Sequence, residues 1–253
     1  MSKHHSHVCF PAANATKFQA PPPADASRQE PTVFLTTRDA YDRWAPGYDG
    51  YDNPMVAAAA RVVEELGRGL PAGAHVFEFG CGTGRNLAAL GRLGAGRLAG
   101  CDLSTGMLAE AARCDPTLLL FHHDMTMPLP MQAGAFDCVL FCLTLEHLAE
   151  MAPPLCEARR ILRPGGCVQV IEIHPLVSAS GVAAHFRDQG GTVRMPVHAH
   201  TAADYETAFN AAGLRVAMRR DWLPRDFGDA ATAKMRKRGE DFPLLVHYRA
   251  VAK

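Results

Sequence analysis

An apolar run, three glycines at alternate positions and a helix-like pattern stand together in HVFEFGCGTGRNLAAL, residues 75–90. Glycine adopts backbone conformations that a Cβ forbids, so such a turn brings bare main chain against a ligand. A helix start just beyond it presents free N–H groups to that ligand. A Walker phosphate loop ends Gly-Lys-Ser/Thr. Here Gly84 is followed by Arg85 and Asn86, which excludes it. A dinucleotide loop needs G-x-G-x-x-G, the third glycine allowing close helix–strand packing. Counted from Gly80, that position is Arg85; counted from Gly82, it is Leu87. The spacing is G-x-G-x-G.

The rest of the chain fixes the setting of this loop. A short helix, a Pro-Gly turn and a helix over about 54–68 precede it. After it, helix RNLAALGRLG leads to strand GRLAGCD. Helix STGMLAEAARC, capped by Ser104 or Thr105, leads to strand TLLLFHHD. AFDCVLFCLTLEHL reads as a fourth strand running into a loop, and APPLCEARRILRPGG as a helix stopped by Pro-Gly-Gly. CVQVIEIHP, LRVAMRRDW and FPLLVHYRAVAK complete seven strands. Near-continuous apolar strands alternating with helices predict a doubly wound, Rossmann-like α/β sheet, mostly parallel, with its ligand outside the strands' carboxyl ends. The residues to inspect therefore follow each strand.

Those residues form an ordered set. Glu78 stands in FEFG, and Asp102 ends the second strand. CDLSTGMLAEA (101–111), HHDM (122–125), FDCVLFCLTLEHL (136–148) and ILRPGGCVQVIE (161–172) follow in order. Together with G-x-G-x-G, this set resembles class I S-adenosylmethionine-dependent methyltransferases of the small-molecule type, over roughly residues 40–252. The resemblance implies S-adenosylmethionine as methyl donor and a Rossmann-like seven-stranded sheet with an antiparallel C-terminal strand. It implies that Gly80, Cys81, Gly82 and Gly84 carry the donor's methionine tail, with Glu78 facing its ammonium. Asp102 would accept the ribose hydroxyls. Leu103 and Met107 would pack on the adenine, Asp124 would accept from its amino group, and Met125 would line the ring.

Residues 36–68 resemble the lid of small-molecule members. Tyr41, Trp44 and Tyr48 would close over the sulfonium, since a cation favours an aromatic face. Arg43 is a candidate partner for the methionine carboxylate. Residues 174–200 form a long insertion of the kind that is usually functional. They read as a cap: a helix near 178–187, a Gly-Gly turn and a strand near 192–197. Phe186, Met195 and Val197 would supply an apolar wall, and Arg187 or Arg194 a partner for an acceptor carboxylate. Methyl transfer needs a base only where the nucleophile carries a proton, and histidine suits that at neutral pH. His174 is the first candidate, because Pro175 stops the strand and fixes the turn. His147 is the second. His185 lies within the insertion, and His198 and His200 stand near the acceptor. His174, His198 and His200 could together hold a metal, but nothing else demands one and none is expected.

Composition excludes other classes. Formal net charge is zero, and KMRKRGE at 234–240 is the densest basic patch, so no nucleic-acid footprint is expected. The 8 cysteines form no CxxC, and no signal peptide or membrane-length apolar run appears. A reduced, cytoplasmic protein with a small-molecule acceptor is expected. Residues 1–35, with HHSH and a Pro-Ala-rich run, read as a disordered tail before a methyltransferase domain at 36–253. Two alternatives compete: an NAD(P)-dependent oxidoreductase, and an inactive methyltransferase-like scaffold that acts by binding.

Overall fold

The computed structural model describes residues 31–253. In chain order the elements are β1 (Thr32–Phe34), α1 (Thr37–Trp44), α2 (Pro54–Arg68), β2 (Val76–Phe79), α3 (Arg85–Arg92), β3 (Leu98–Asp102), α4 (Thr105–Cys114), β4 (Leu119–His122) and β5 (Phe136–Cys142). Then come α5 (Ala152–Ile161), β6 (Leu162–Ile173), α6 (Pro175–Ala179), β7 (His185–Asp188), β8 (Gly191–Arg194), α7 (Ala202–Ala211), β9 (Leu214–Trp222) and β10 (Leu245–Ala252).

Seven strands form one sheet in the order β4-β3-β2-β5-β6-β10-β9. β2 through β6 run parallel, and β10 is antiparallel to both its neighbours. The expected mostly parallel sheet with an antiparallel C-terminal strand is what forms. The chain winds outward from β2 to β4, then returns to lay β5 on the other side of β2. That reversal opens a crevice beyond the carboxyl ends of β2 and β5.

Burial follows this order. All four residues of β2 are buried, whereas edge strand β9 alternates. One apolar layer holds Phe77, Phe79, Phe136 and Phe141 against α5 and α7. The other packs Val62, Leu87, Leu90 and Leu140 beneath α2 and α3. Helix starts are fixed by their first polar residue: Asn53 accepts from Met55 and Val56 N–H, Ser104 from Met107 N–H, and Thr201 forms a capping box with Asp204. Each such cap is worth about 1 kcal/mol.

The insertion and the N-terminal boundary differ from expectation. The helix of the insertion begins at once at Pro175, with His174 as its N-cap, and ends before Gly181 at φ 81°. Residues 185–194 are a β7–β8 hairpin turning at Gln189 and Gly190, not a helix and a lone strand. Phe186 and Val193 pair on its inner face. β1 joins it in parallel register, Val33 opposite Val193, making a second, three-stranded sheet. Residues 32–34 are therefore ordered strand, where a tail through 35 was expected; residues 1–30 of that tail lie outside the described residues. Among the described residues no helix is long and apolar enough to cross a membrane.

Candidate functional site

The crevice holds a cavity of about 190 Å3 whose wall includes Gly80, Gly82, Asp102, Leu103, Met107, Asp124 and Met125. Tyr41, Tyr48, Thr144 and His147 complete it from α1, the segment after it and the loop after β5. A smaller lobe of about 40 Å3 shares Tyr48, Gly80 and Gly82, and adds Cys81, Arg85 and Asn86.

The glycine loop is built from left-handed backbone: φ is 65° at Gly80, 53° at Gly82 and 72° at Gly84. A Cβ on Gly80 would strike the Thr144 side chain, and one on Gly84 would come within 2.7 Å of Leu118. A Cβ on Gly82 would meet nothing within 4 Å, so that glycine faces open space. The Cys81 side chain is buried against Gly100 and belongs to the core, leaving only its main chain to the loop.

Glu78 is fully buried. Its Oε1 accepts from Asn86 Nδ2 at 2.7 Å, while Oε2 has no partner. Burial pushes its carboxyl up to about 8, against the opposing hydrogen bond from Asn86. One buried oxygen of the carboxyl is thus open to a further hydrogen-bond partner. Asp102 accepts from Gly82 N–H and Ser104 N–H, each at 2.8 Å, one on each oxygen. Each oxygen keeps a further lone pair. Asp124 is more exposed; its Oδ1 accepts from Thr126 N–H at 2.9 Å and closes a small turn.

The acceptor-side wall is set by β5 and β6. Leu143 takes φ 54°, rare for a branched side chain and worth about 1–3 kcal/mol of strain. Glu172 Oε1 holds the next turn by accepting from Thr144 N–H (2.9 Å) and Leu145 N–H (2.8 Å). His147 follows on that turn. Its Nδ1 lies 3.0 Å from Pro196 O and must donate there. Its Nε2 lone pair therefore receives the Tyr41 hydroxyl at 2.8 Å. Burial lowers the His147 pKa and raises that of Tyr41 well above its ordinary value. Beside His147, Glu146 is 8% exposed, and burial pushes its carboxyl up to about 7.

His174, the first candidate base, lies elsewhere. Its Nδ1 accepts from Leu176 N–H at 3.2 Å, and its Nε2 lies 3.5 Å from Asp221 Oδ1 on β9. Capping α6 engages Nδ1, Nε2 has no hydrogen-bond partner, and His174 is not part of the cavity wall. His198 and His200 also lie outside the cavity wall. His198 N–H donates to Glu146 O at 2.7 Å, and the His200 ring bonds Leu148 O at 2.9 Å. His185 is exposed and bonds Ala183 O. Among the described residues no three His, Cys, Asp or Glu converge as metal ligands.

Arg43 pairs with Asp188 of β7 at 2.6 Å, so its charge ties α1 to the hairpin. Trp44 is buried, stacked on Phe186 at 4.8 Å and 15°. Sequence reasoning missed Asp42, whose Oδ1 accepts from Ser104 Oγ (2.6 Å) and Gly106 N–H (2.8 Å) at the start of α4. It also missed Glu146, Glu172 and the Asn86 contact. The acids in LEHL and VIE, each at a strand's carboxyl end, were the available signal.

A sheet reversing between β2 and β5, with a left-handed glycine loop and an acid ending β3, defines an α/β protein whose site suits a nucleoside carrying a cationic tail. Residues 77–170 match the family described as "Methyltransferase domain". A demethylmenaquinone methyltransferase of Beutenbergia cavernae is 37% identical over 100 residues, 40% of this chain and 41% of that protein. A malonyl-[acyl-carrier protein] O-methyltransferase of Dechloromonas aromatica is 33% identical over 143 residues, 54% of this chain and 50% of that protein. The chain thus spans about half or less of these relatives' own length. The crystal structure of an S-adenosylmethionine-dependent methyltransferase from Mesorhizobium loti superposes with a TM-score of 0.61 at 21% identity, covering 75% of this chain and 95% of that one. The methyltransferase-domain match over residues 77–170 and the fold shared with S-adenosylmethionine-dependent methyltransferases together support a class I S-adenosylmethionine-dependent methyltransferase.

Proposed function

We propose that the protein transfers a methyl group from S-adenosylmethionine to an oxygen or nitrogen nucleophile of a small molecule, with Tyr41 and His147 taking up the proton. The observation that carries this reading is the 2.8 Å bond from Tyr41 to His147, in the wall of the cavity that also contains Gly80, Gly82 and Asp102. The free Glu78 oxygen suits the donor's ammonium, and the open face of Gly82 suits its methionine tail. Asp102 has lone pairs for the ribose hydroxyls, and Leu103, Met107 and Met125 supply an apolar bed for the adenine, with Asp124 at its amino edge. When bound, the donor supplies a methyl group already activated by the sulfonium charge. The protein's share is alignment and exclusion of water.

His147 is neutral at physiological pH because burial lowers its pKa. As the acceptor's proton reaches the Tyr41 oxygen, the Tyr41 proton moves to His147 Nε2. This gives the base role to the second candidate rather than to His174. Tyr41 and Tyr48 act as the inner face of a lid, and the β1-β8-β7 sheet acts as a cap holding α1 through Trp44 and Arg43. His198 and His200 support the cap through Glu146 and Leu148 instead of touching the acceptor. The name demethylmenaquinone methyltransferase supports a small-molecule acceptor. Arg85 disfavours the dinucleotide reading: its guanidinium donates to Val56 O at 3.0 Å, at the position where that fingerprint needs glycine.

Calorimetric titration with S-adenosylmethionine tests the donor site. Absence of binding at millimolar donor would sink this reading and leave a scaffold. A donor-consumption screen over phenols, amines, carboxylates and thiols then finds the acceptor. With that acceptor, Tyr41→Phe is expected to lower turnover about 10²-fold or more while leaving donor affinity intact. Unchanged turnover would take the proton route away from this pair.

A further inference from the structure

We infer that Cys167 is a peroxide-reactive thiol and that Cys138 is the partner that resolves it to a disulfide. Neither residue belongs to the donor cavity. At the opposite end of the strands, a groove of about 760 Å3 runs between the end of α2 and the faces of β6, β10 and β9. Cys167 lines it at 7% exposure; Cys138 lies behind, fully buried. The two are register partners on adjacent parallel strands β5 and β6. Neighbouring strands lie about 4.8 Å apart, inside the roughly 4.4–6.8 Å Cα separation that a disulfide spans. Both side chains pack in the same apolar layer.

The groove also polarises one of the two sulfurs. His247 Nε2 bonds Gln169 Oε1 at 2.8 Å, which turns the Gln169 amide so that its Nε2 donates to Cys167 Sγ at 3.4 Å. Burial lowers the His247 pKa to about 4, so its ring is the neutral donor. The neighbouring Cys138 thiol and the nearby Arg249 guanidinium favour the Cys167 thiolate, against the effect of burial. Burial raises Cys81, Cys101 and Cys142 instead. Cys138 is raised too, by the neighbouring Cys167 first and by burial second, so Cys167 is the sulfur that meets peroxide and Cys138 the one that follows. The thiolate is the reactive form, and access decides which thiolate reacts.

The chemistry balances with hydrogen peroxide as the only co-reactant. The Cys167 sulfur attacks one peroxide oxygen; the O–O bond breaks, an S–O bond forms, and hydroxide leaves, becoming water with the proton that the Cys167 thiol gave up. The Cys138 sulfur then attacks the sulfenic sulfur. The S–O bond breaks, the S–S bond forms, and the hydroxyl departs with the Cys138 proton as a second water. Two thiols are oxidised and one peroxide is reduced.

The test is peptide mapping of the reduced full chain after limiting hydrogen peroxide, with dimedone present to trap sulfenic acid. The expected product in the parent is a Cys138–Cys167 bridge. In Cys138→Ser the dimedone adduct should move to Cys167, forming about tenfold faster than at exposed Cys114 or Cys156. Gln169→Leu should slow that labelling. Oxidation of Cys114 or Cys156 first, with no bridge in the folded parent, would overturn the proposal. The parent measurement stands even if a variant fails to fold, and none of these readouts depends on methyl transfer.

Discussion

Glu78 sets the proton balance of donor binding. Its carboxyl, pushed up to about 8 by burial, is mostly protonated at pH 7 in the free protein. An ammonium placed against Oε2 stabilises the anion, so binding should expel a proton, approaching one per donor at pH 7. Titration calorimetry in buffers of different ionisation enthalpy checks this. Heats independent of the buffer would remove the ammonium from Glu78, and Glu78→Gln should abolish the release. Asp102→Ala loses a charged acceptor and the anchor of Gly82 N–H. Donor affinity should fall about tenfold to a hundredfold; affinity equal to the parent would take the ribose away from Asp102. Both acids were legible in the sequence because a strand end in an alternating α/β chain is a strand end at the crevice. His174 was legible by the same rule and misled. The Pro175 that stops its strand also starts α6 at once, and the ring becomes that helix's cap. Asp42 was illegible because its purpose is a contact with Ser104 and Gly106, made only when α1 folds onto α4.

At the scale of elements, the seven main strands and the helices between them were readable from apolar runs and glycine stops, since each buries its own side chains whatever surrounds it. β1 and β7 were not, and β8 was readable only as a lone strand near 192–197. They are three or four residues long, and each is stable only because the others pair with it and Trp44 stacks on Phe186. That dependence makes a prediction. Trp44→Ala removes the ring that joins α1 to the hairpin and leaves a hole beside Phe186, a change worth about 3–5 kcal/mol. The loss should stay local. Amide exchange should rise over 32–44 and 185–195 and remain unchanged in β2 and β5, while the acceptor KM rises more than the donor Kd. Equal loss of protection in β2 would mean that α1 and the small sheet unfold only with the main core. Arg43→Ala should do far less, since its pair with Asp188 is partly exposed and solvent screens it.

Across the whole molecule, the buried acids and histidines determine how stability depends on pH. Burial raises Glu78 and Glu172 to about 8 and Glu146 to about 7. A raised folded pKa contributes stability that is fully present below the unfolded value, near 4.5, and is lost as pH climbs through the folded value. The free protein should therefore gain stability as pH falls from about 8 to about 6.5. Below the ordinary histidine value of about 6.5, depressed histidines oppose that gain. His247 at about 4, with His147 and His174 also lowered, binds protons more readily in the unfolded chain, so each costs stability as pH falls. The two trends offset each other down to about pH 4.5. Lower still, Asp137 and Glu157, both held down in the fold, lose their contributions and the protein should unfold. Urea denaturation across this range should give a broad maximum between about pH 4.5 and 6.5. Saturating donor should flatten the loss above it by neutralising the Glu78 share. A maximum above pH 8 would mean that water or a counter-ion reaches these carboxylates. The buried acids beside the crevice would then be solvated, and the proton release expected on donor binding would disappear with them.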